Sequence, residues 1–269
     1  MNSAEKKTML MICICVCALF CGACEEHFTG MGPRPGYIED EPFSPRLNVL
    51  GILRPDSIDG FPASFVYLEQ SVDILDDRDT IIVSNARVTI TPLASEQDSL
   101  VLEYTEAGTL FSFDAYRHEQ LVPKPGRAYR IACHAPGLPA ISERITIPGP
   151  VTVAEESISV SGQTLDFTIK RADDALLYDI YLFLENAQLP LYTRVRRPAT
   201  GNVQISLESD QPLTGSALLE IFTYDKHLAE YFSYNVGVKP NTFRADYSTV
   251  ENGYGCIGGM NVLKREIYF

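Results

Sequence analysis

From Arg46 onward, apolar and polar positions alternate in short runs broken by turn residues. Residues 47–53 read as a first strand stopped by Pro55, and 63–72 as a second, where Phe65, Val66 and Tyr67 suit a pleated, half-buried surface. Ala86, Val88 and Ile90 share one face at a period of two. Residues 99–104 and 109–113 form a further expected pair across Glu106-Ala107-Gly108. Tyr129, Ile131 and Cys133 point one way, Ala128, Arg130 and Ala132 the other, and 140–147 returns as a last strand before Pro148-Gly149-Pro150. About seven short strands at this spacing predict a β-sandwich.

Strands continue beyond Pro150, at 164–170, 176–184, 191–195, 203–207 and 217–224. Tyr178, Ile180, Leu182 and Leu184 fall on one face, with Tyr181 and Phe183 on the other. A strand apolar on both faces is expected to be covered on both. The period then shifts: Leu228, Tyr231 and Phe232 sit at helical spacing behind Asp225, a natural N-cap, so a helix is expected near 225–235. In the tail, Gly253 and Gly255 belong to a run with four glycines in eight residues. No Lys-Ser/Thr follows to make a phosphate cradle, so close packing of a terminal segment into a sheet is expected. Residues 265–269 read as a final strand.

The N-terminus obeys a different pattern. Lys6-Lys7 precede an uncharged apolar run from Met9 to Ala23, shorter than a bilayer span requires and ending in small residues. Cys24 follows Gly22-Ala23. This resembles the lipobox of bacterial lipoproteins, with Cys21 standing where Leu is usual. The resemblance implies that residues 1–23 are a signal peptide and that Cys24 is acylated. An ordinary signal or a short uncleaved anchor is the competing reading. Two or three acyl chains would hold the protein firmly, at about 0.8 kcal/mol per buried methylene. Glu25-Glu26 resemble the surface-export signal of Bacteroidota lipoproteins. Seven Gly and Pro residues between 27 and 45 make residues 24–45 an expected tether.

The formal net charge of −13 argues against nucleic acid, whose phosphates need a basic face, and against adhesion to anionic lipid. Membrane attachment would therefore fall to the acyl chains. Five of seven cysteines lie in or at the end of the signal, leaving Cys133 and Cys256 for the folded part. Two buried free thiols are expected rather than a bridge.

Leu121-Val-Pro123-Lys-Pro125-Gly126-Arg-Ala-Tyr129 resembles the tyrosine corner of immunoglobulin-like and fibronectin-like domains, in which a Tyr hydroxyl bonds back to the corner backbone. Ile131 stands where the immunoglobulin disulfide would want Cys, so Cys133 reads as core. The expected fold class is therefore mainly β: an Ig-like/fibronectin-like β-sandwich at 46–150, then a second β-rich domain at 151–269 with one short helix.

Taken in order, several blocks resemble an uncharacterised domain-of-unknown-function family of Bacteroidota outer-membrane lipoproteins. They are Cys24-Glu-Glu, Leu47–Leu53, Ala86-Arg-Val88-Thr-Ile90, the Pro-Gly-x-x-Tyr block, Tyr224-Asp-Lys-His-Leu-Ala-Glu-Tyr-Phe232 and Asn252-Gly-Tyr-Gly-Cys-Ile-Gly-Gly259. That family is found with TonB-dependent transporters. The resemblance implies an accessory to outer-membrane transport, lipid-anchored and surface-facing, and no catalytic residues. Cys256 stands where the family usually has an aromatic or aliphatic residue.

Candidate chemistry is sparse. His27, His118, His134 and His227 are scattered, and no HExxH, GxSxG or zinc-type Cys/His spacing occurs. Asp76-Asp77 and Asp173-Asp174 are adjacent, which on strands would turn them apart. The acidic run 73–80 lacks EF-hand spacing. With no Trp and no aromatic ladder evident, no sugar platform is expected. The sequence thus predicts a non-enzymatic envelope lipoprotein without cofactor or metal, its ligand unnamed. The alternative is a structural, fimbrial-type subunit assembling by strand exchange; a hydrolase ranks third.

Overall fold

The computed structural model describes residues 44–72, 81–108, 111–185, 187–198, 201–234 and 248–269. The signal, Cys24, all but the end of the tether, and the acidic run 73–80 lie outside these residues. Pro45–Phe269 forms one compact unit.

Nine strands occupy the first half: β1 (Leu47–Leu53), β2 (Ser57–Ile58), β3 (Phe61–Pro62), β4 (Phe65–Gln70), β5 (Arg87–Pro92), β6 (Leu100–Thr105), β7 (Ala115–Arg117), β8 (Ala128–His134) and β9 (Ile141–Thr146). The second half contributes β10 (Thr152–Val153), β11 (Ser159–Ser161), β12 (Thr164–Lys170), β13 (Leu177–Leu184), β14 (Leu191–Arg196), β15 (Val203–Glu208), β16 (Ser216–Tyr224), the helix α1 (Lys226–Tyr234) and β17 (Tyr254–Tyr268).

Eleven strands form one path, β14-β13-β16-β17-β1-β4-β7-β6-β5-β8-β9, while β10, β12, β11 and β15 make a separate sheet. Alternation fixes the inward faces. Val49, Val66, Leu68, Val88, Ile90, Ile131, Cys133 and Ile145 fill a first core. Tyr178, Ile180, Leu182, Leu219 and Ile221 pack with Leu165, Phe167, Ile169 and Ile205 of the smaller sheet in a second.

β17 joins the two. Its first residues run parallel to β1, from Asn48 opposite Tyr254 to Leu53 opposite Gly259. Its remainder pairs antiparallel with β16, from Met260 to Tyr268. The expected division at Pro148–Pro150 falls between two cores that lie within one compact unit, and β17, from the expected 151–269 domain, pairs with β1 of the first half. The glycines explain how. A Cβ on Gly253 would lie 2.5 Å from Ile141 Cδ1, and one on Gly259 would lie 2.7 Å from the Thr146 carbonyl oxygen. β9 therefore closes directly over β17, and the sheet folds onto itself. Gly255, at φ +96°, leaves no room for any side chain against the Val49 carbonyl. The final strand is accordingly fifteen residues long, taking in Gly255, Gly258 and Gly259, rather than 265–269 alone.

The strand expected at 109–113 also differs. Among its described residues, Phe111–Phe113 is irregular, and the paired strand is β7, two residues further on. Phe111 and Phe113 instead fold over an arginine of that strand.

Candidate binding site

Val66 pairs with Tyr116, and Glu103 with Arg117, which sets the facing of β7. Tyr116 enters the first core, where its hydroxyl accepts from the Ala86 N–H and donates to the Val83 carbonyl, both at 2.8 Å. Arg117 takes the opposite face, together with Phe65 and Tyr67 of β4. It is only 2% exposed. Its guanidinium lies 4.0 Å from the Phe111 ring centroid, 4.8 Å from Phe113 and 5.9 Å from Phe65. Those rings brace one another edge to face, Phe61 on Phe111 and Phe65 on Phe113. Nη2 donates a long bond of 3.4 Å to the Phe113 carbonyl, and Nη1 has no partner. Burial lowers the proton affinity of the guanidinium, opposed by the charge of Asp114. Arg117 borders a cavity of about 410 Å³ whose other walls include Phe61, Phe111 and the exposed Glu103, Glu106 and Glu119.

A second arginine on this face is arranged differently. Asp179 of β13 is 1% exposed. It accepts from Arg194 Nε at 2.6 Å and Nη2 at 2.7 Å, from the Tyr192 hydroxyl at 3.0 Å and from the Tyr224 hydroxyl at 3.1 Å. Strands β13, β14 and β16 are pinned by one carboxylate. Arg194 Nη1 also reaches the Phe232 carbonyl of α1 at 3.3 Å. The carboxylate holds the Arg194 guanidinium above its ordinary range. Desolvation and then the Asp179 charge push the Tyr192 phenol up to about 12.

Beyond that network the sheet is open. The sequence pattern predicted cover on both faces of β13, but α1 covers only the end near Leu177 and Tyr224. Tyr181 stacks with Phe183 at 6.2 Å, with Tyr192 at 4.9 Å and edge-on with Phe222 at 5.7 Å. Phe183 is 40% exposed, Tyr192 48% and Leu218 37%. An aromatic platform therefore exists where none was expected. A strand face whose cover depends on the placement of a distant helix cannot be judged from its own residues.

α1 packs on the glycines of β17. A Cβ on Gly258 would meet Leu228 Cγ at 2.5 Å and Asp225 Oδ1 at 2.7 Å. Asp225 caps the helix by accepting from the Leu228 N–H at 2.9 Å, while its Oδ2 has no partner. Burial pushes this carboxyl up to about 7.

The residues singled out from the sequence lie elsewhere. The Tyr129 hydroxyl accepts from the Lys124 N–H at 2.8 Å, across a turn in which Gly126 has φ +73°. Cys133 and Cys256 are buried free thiols, and burial pushes Cys133 up to about 12. Gly255 lies on β17 and Gly253 in the bend just before it, and Cys24 lies outside the described residues. None of these described residues borders the Arg117 cavity; of the histidines noted in the sequence, His118 does. Among the described residues no group of three His, Cys, Asp or Glu is placed to hold a metal, and no helix is long and apolar enough to cross a membrane. The sequence did carry a signal for Asp179, a lone acid in an otherwise apolar strand. Arg117 gave none, because its covering rings come from an irregular segment.

No protein-family profile matches the chain, and no curated protein does. Solved structures resemble it at low identity. The chicken interferon gamma receptor alpha chain is 9% identical, with 84% of this chain and 98% of that one covered at a TM-score of 0.27. A tetra-tandem repeat from the extending region of a large adhesion protein is 10% identical, covering 83% of this chain and 49% of its own at 0.26. The FN1–FN3 domains of chicken CNTN1 are 9% identical, covering 81% and 68% at 0.26. Among the described residues the protein is mainly β, with one short α-helix. Nothing about ligand or partner follows from likenesses at this level.

Proposed function

We propose that the protein is a non-enzymatic lipoprotein of the outer membrane, anchored through Cys24 on the tether 24–45, whose β body is a surface-facing binding module working with a TonB-dependent transporter. The observation that carries the binding role is the open aromatic face of Tyr181, Phe183, Tyr192 and Leu218. Exposed aromatics clustered on a rigid sheet, rimmed by Arg194, Glu220 and Lys264, have the composition of a protein-interface core with a polar rim. The occupant proposed for that face is the periphery of the transporter barrel. The anchor and its membrane rest on the sequence of residues 1–26.

Affinity capture from solubilised outer membrane tests the reading. A barrel protein is expected with the native chain and should be lost with Tyr181→Ser/Phe183→Ser. Recovery of no barrel protein, or equal recovery with both chains, overturns it. Palmitate labelling that survives Cys24→Ser would overturn the anchor. The fimbrial alternative draws less support, since β1, the strand it would have to release, is paired on both sides by β17 and β4.

A further inference from the structure

The Arg117 cavity lies apart from the aromatic face and plays no part in the proposed docking. Its floor holds a cation that the protein leaves incomplete. A guanidinium carries five N–H donors in a fixed fork. Here the residue is 2% exposed, yet among the described residues it has one long bond to the Phe113 carbonyl and no partner at Nη1. Contact with the aromatic faces offsets part of the desolvation but supplies no acceptor in the donor plane. A buried charge is normally both paired and hydrogen-bonded. The missing partner is an acceptor, and the group that best matches a guanidinium edge is a carboxylate.

The rim carries the opposite sign. Glu103, Glu106 and Glu119 border the same cavity and are exposed. Three carboxylates, set against Arg117 and the His118 imidazole in the same lining, repel a phosphate dianion. They also favour an ammonium, provided the ligand's own carboxylate satisfies the floor. The ring walls of Phe61 and Phe111 accept an apolar side chain between the two charged ends. At about 410 Å³ the space lies in the range of small-molecule pockets.

We infer that this cavity binds a zwitterion, a free amino acid or a short peptide with free termini, its carboxylate on Arg117 and its ammonium among Glu103, Glu106 and Glu119. The inference rests on the reading of the chain as a binding module but not on the aromatic face, so the two fail separately.

The test uses the full-length lipoprotein in detergent and calorimetric titration with four probes: the dipeptide Ala-Phe, its C-terminal amide, its N-acetyl derivative and inorganic phosphate. Ala-Phe is expected to bind, and the amide and the N-acetyl form to bind at least tenfold more weakly. Arg117→Met is expected to abolish the preference for Ala-Phe over the amide. It should also raise the Tm of the ligand-free protein, because it removes a buried charge whose Nη1 has no hydrogen-bond partner. Glu103→Gln/Glu119→Gln changes two exposed side chains, and it should weaken Ala-Phe severalfold while leaving the N-acetyl form unchanged. No heat with Ala-Phe at millimolar concentration overturns the inference. So do equal binding of the amide, tighter binding of phosphate, or an unchanged preference in the glutamate variant.

Discussion

Arg194 and Arg117 stand on the same face of one eleven-stranded sheet and live under opposite rules. Arg194 keeps 26% of its side chain exposed, yet its charge is met by both oxygens of Asp179, which also takes two tyrosine hydroxyls. Arg117 is almost wholly buried and is met by three rings and one distant carbonyl. A satisfied charge network ties strands together. An unsatisfied one is tolerated where a ligand finishes it, or where the surrounding packing carries the cost. The difference separates a device of the fold from a candidate site.

The contrast breaks most sharply at Asp179. Asp179→Ala strands a guanidinium and two hydroxyls, and a loss of about 3–5 kcal/mol is expected in urea denaturation. A loss below about 1 kcal/mol would show that the network contributes no more than a surface pair. Arg117→Met should move the other way, stabilising the ligand-free protein by about 1–2 kcal/mol, because an apolar side chain of similar length keeps the ring contacts without the charge. Destabilisation of that size would mean the rings alone suffice for Arg117.

Asp225 sharpens the comparison with a buried acid that also lacks an ionic partner. Its carboxyl stands at about 7 in the folded chain against an ordinary 3.8. Between those values the native state holds a proton that the unfolded state has lost, so this group's contribution to stability falls as pH rises from about 4 to 7 and is level above. Asp225→Asn keeps the acceptor for the Leu228 N–H. The fall should flatten in denaturant midpoints measured across that window. An unchanged slope would exclude Asp225 as its source. The smallest effect is expected for Tyr192→Phe, which removes one of four donors to Asp179, at about 0.5–1.5 kcal/mol.

Much of the frame was legible because it is local. Ile131 and Cys133 enter the first core on the alternation that placed them there, and the face of Tyr178, Ile180 and Leu182 does the same in the second. Asp225, Leu228 and Tyr231 mark a helix that spans Lys226–Tyr234. Non-local facts were not legible. No pattern in Gly253–Gly259 names β1 as partner or β9 as cover, since those strands precede it by a hundred residues or more. The Phe183 face looked buried because its neighbours are apolar, but the helix that would have covered it sits on Gly258 instead. Arg117 resembled any polar residue at the end of a short strand until Phe111 and Phe113 closed over it.

One consequence of β17 concerns timing. The strand that joins both cores follows every other strand among the described residues, and Asn48 must wait for Tyr254 to find its neighbour. An emerging polypeptide therefore carries β1 with an open edge until β17 has been made, with the slow closure that such distant pairing entails. Clipping the last fifteen residues should leave neither half able to stand alone.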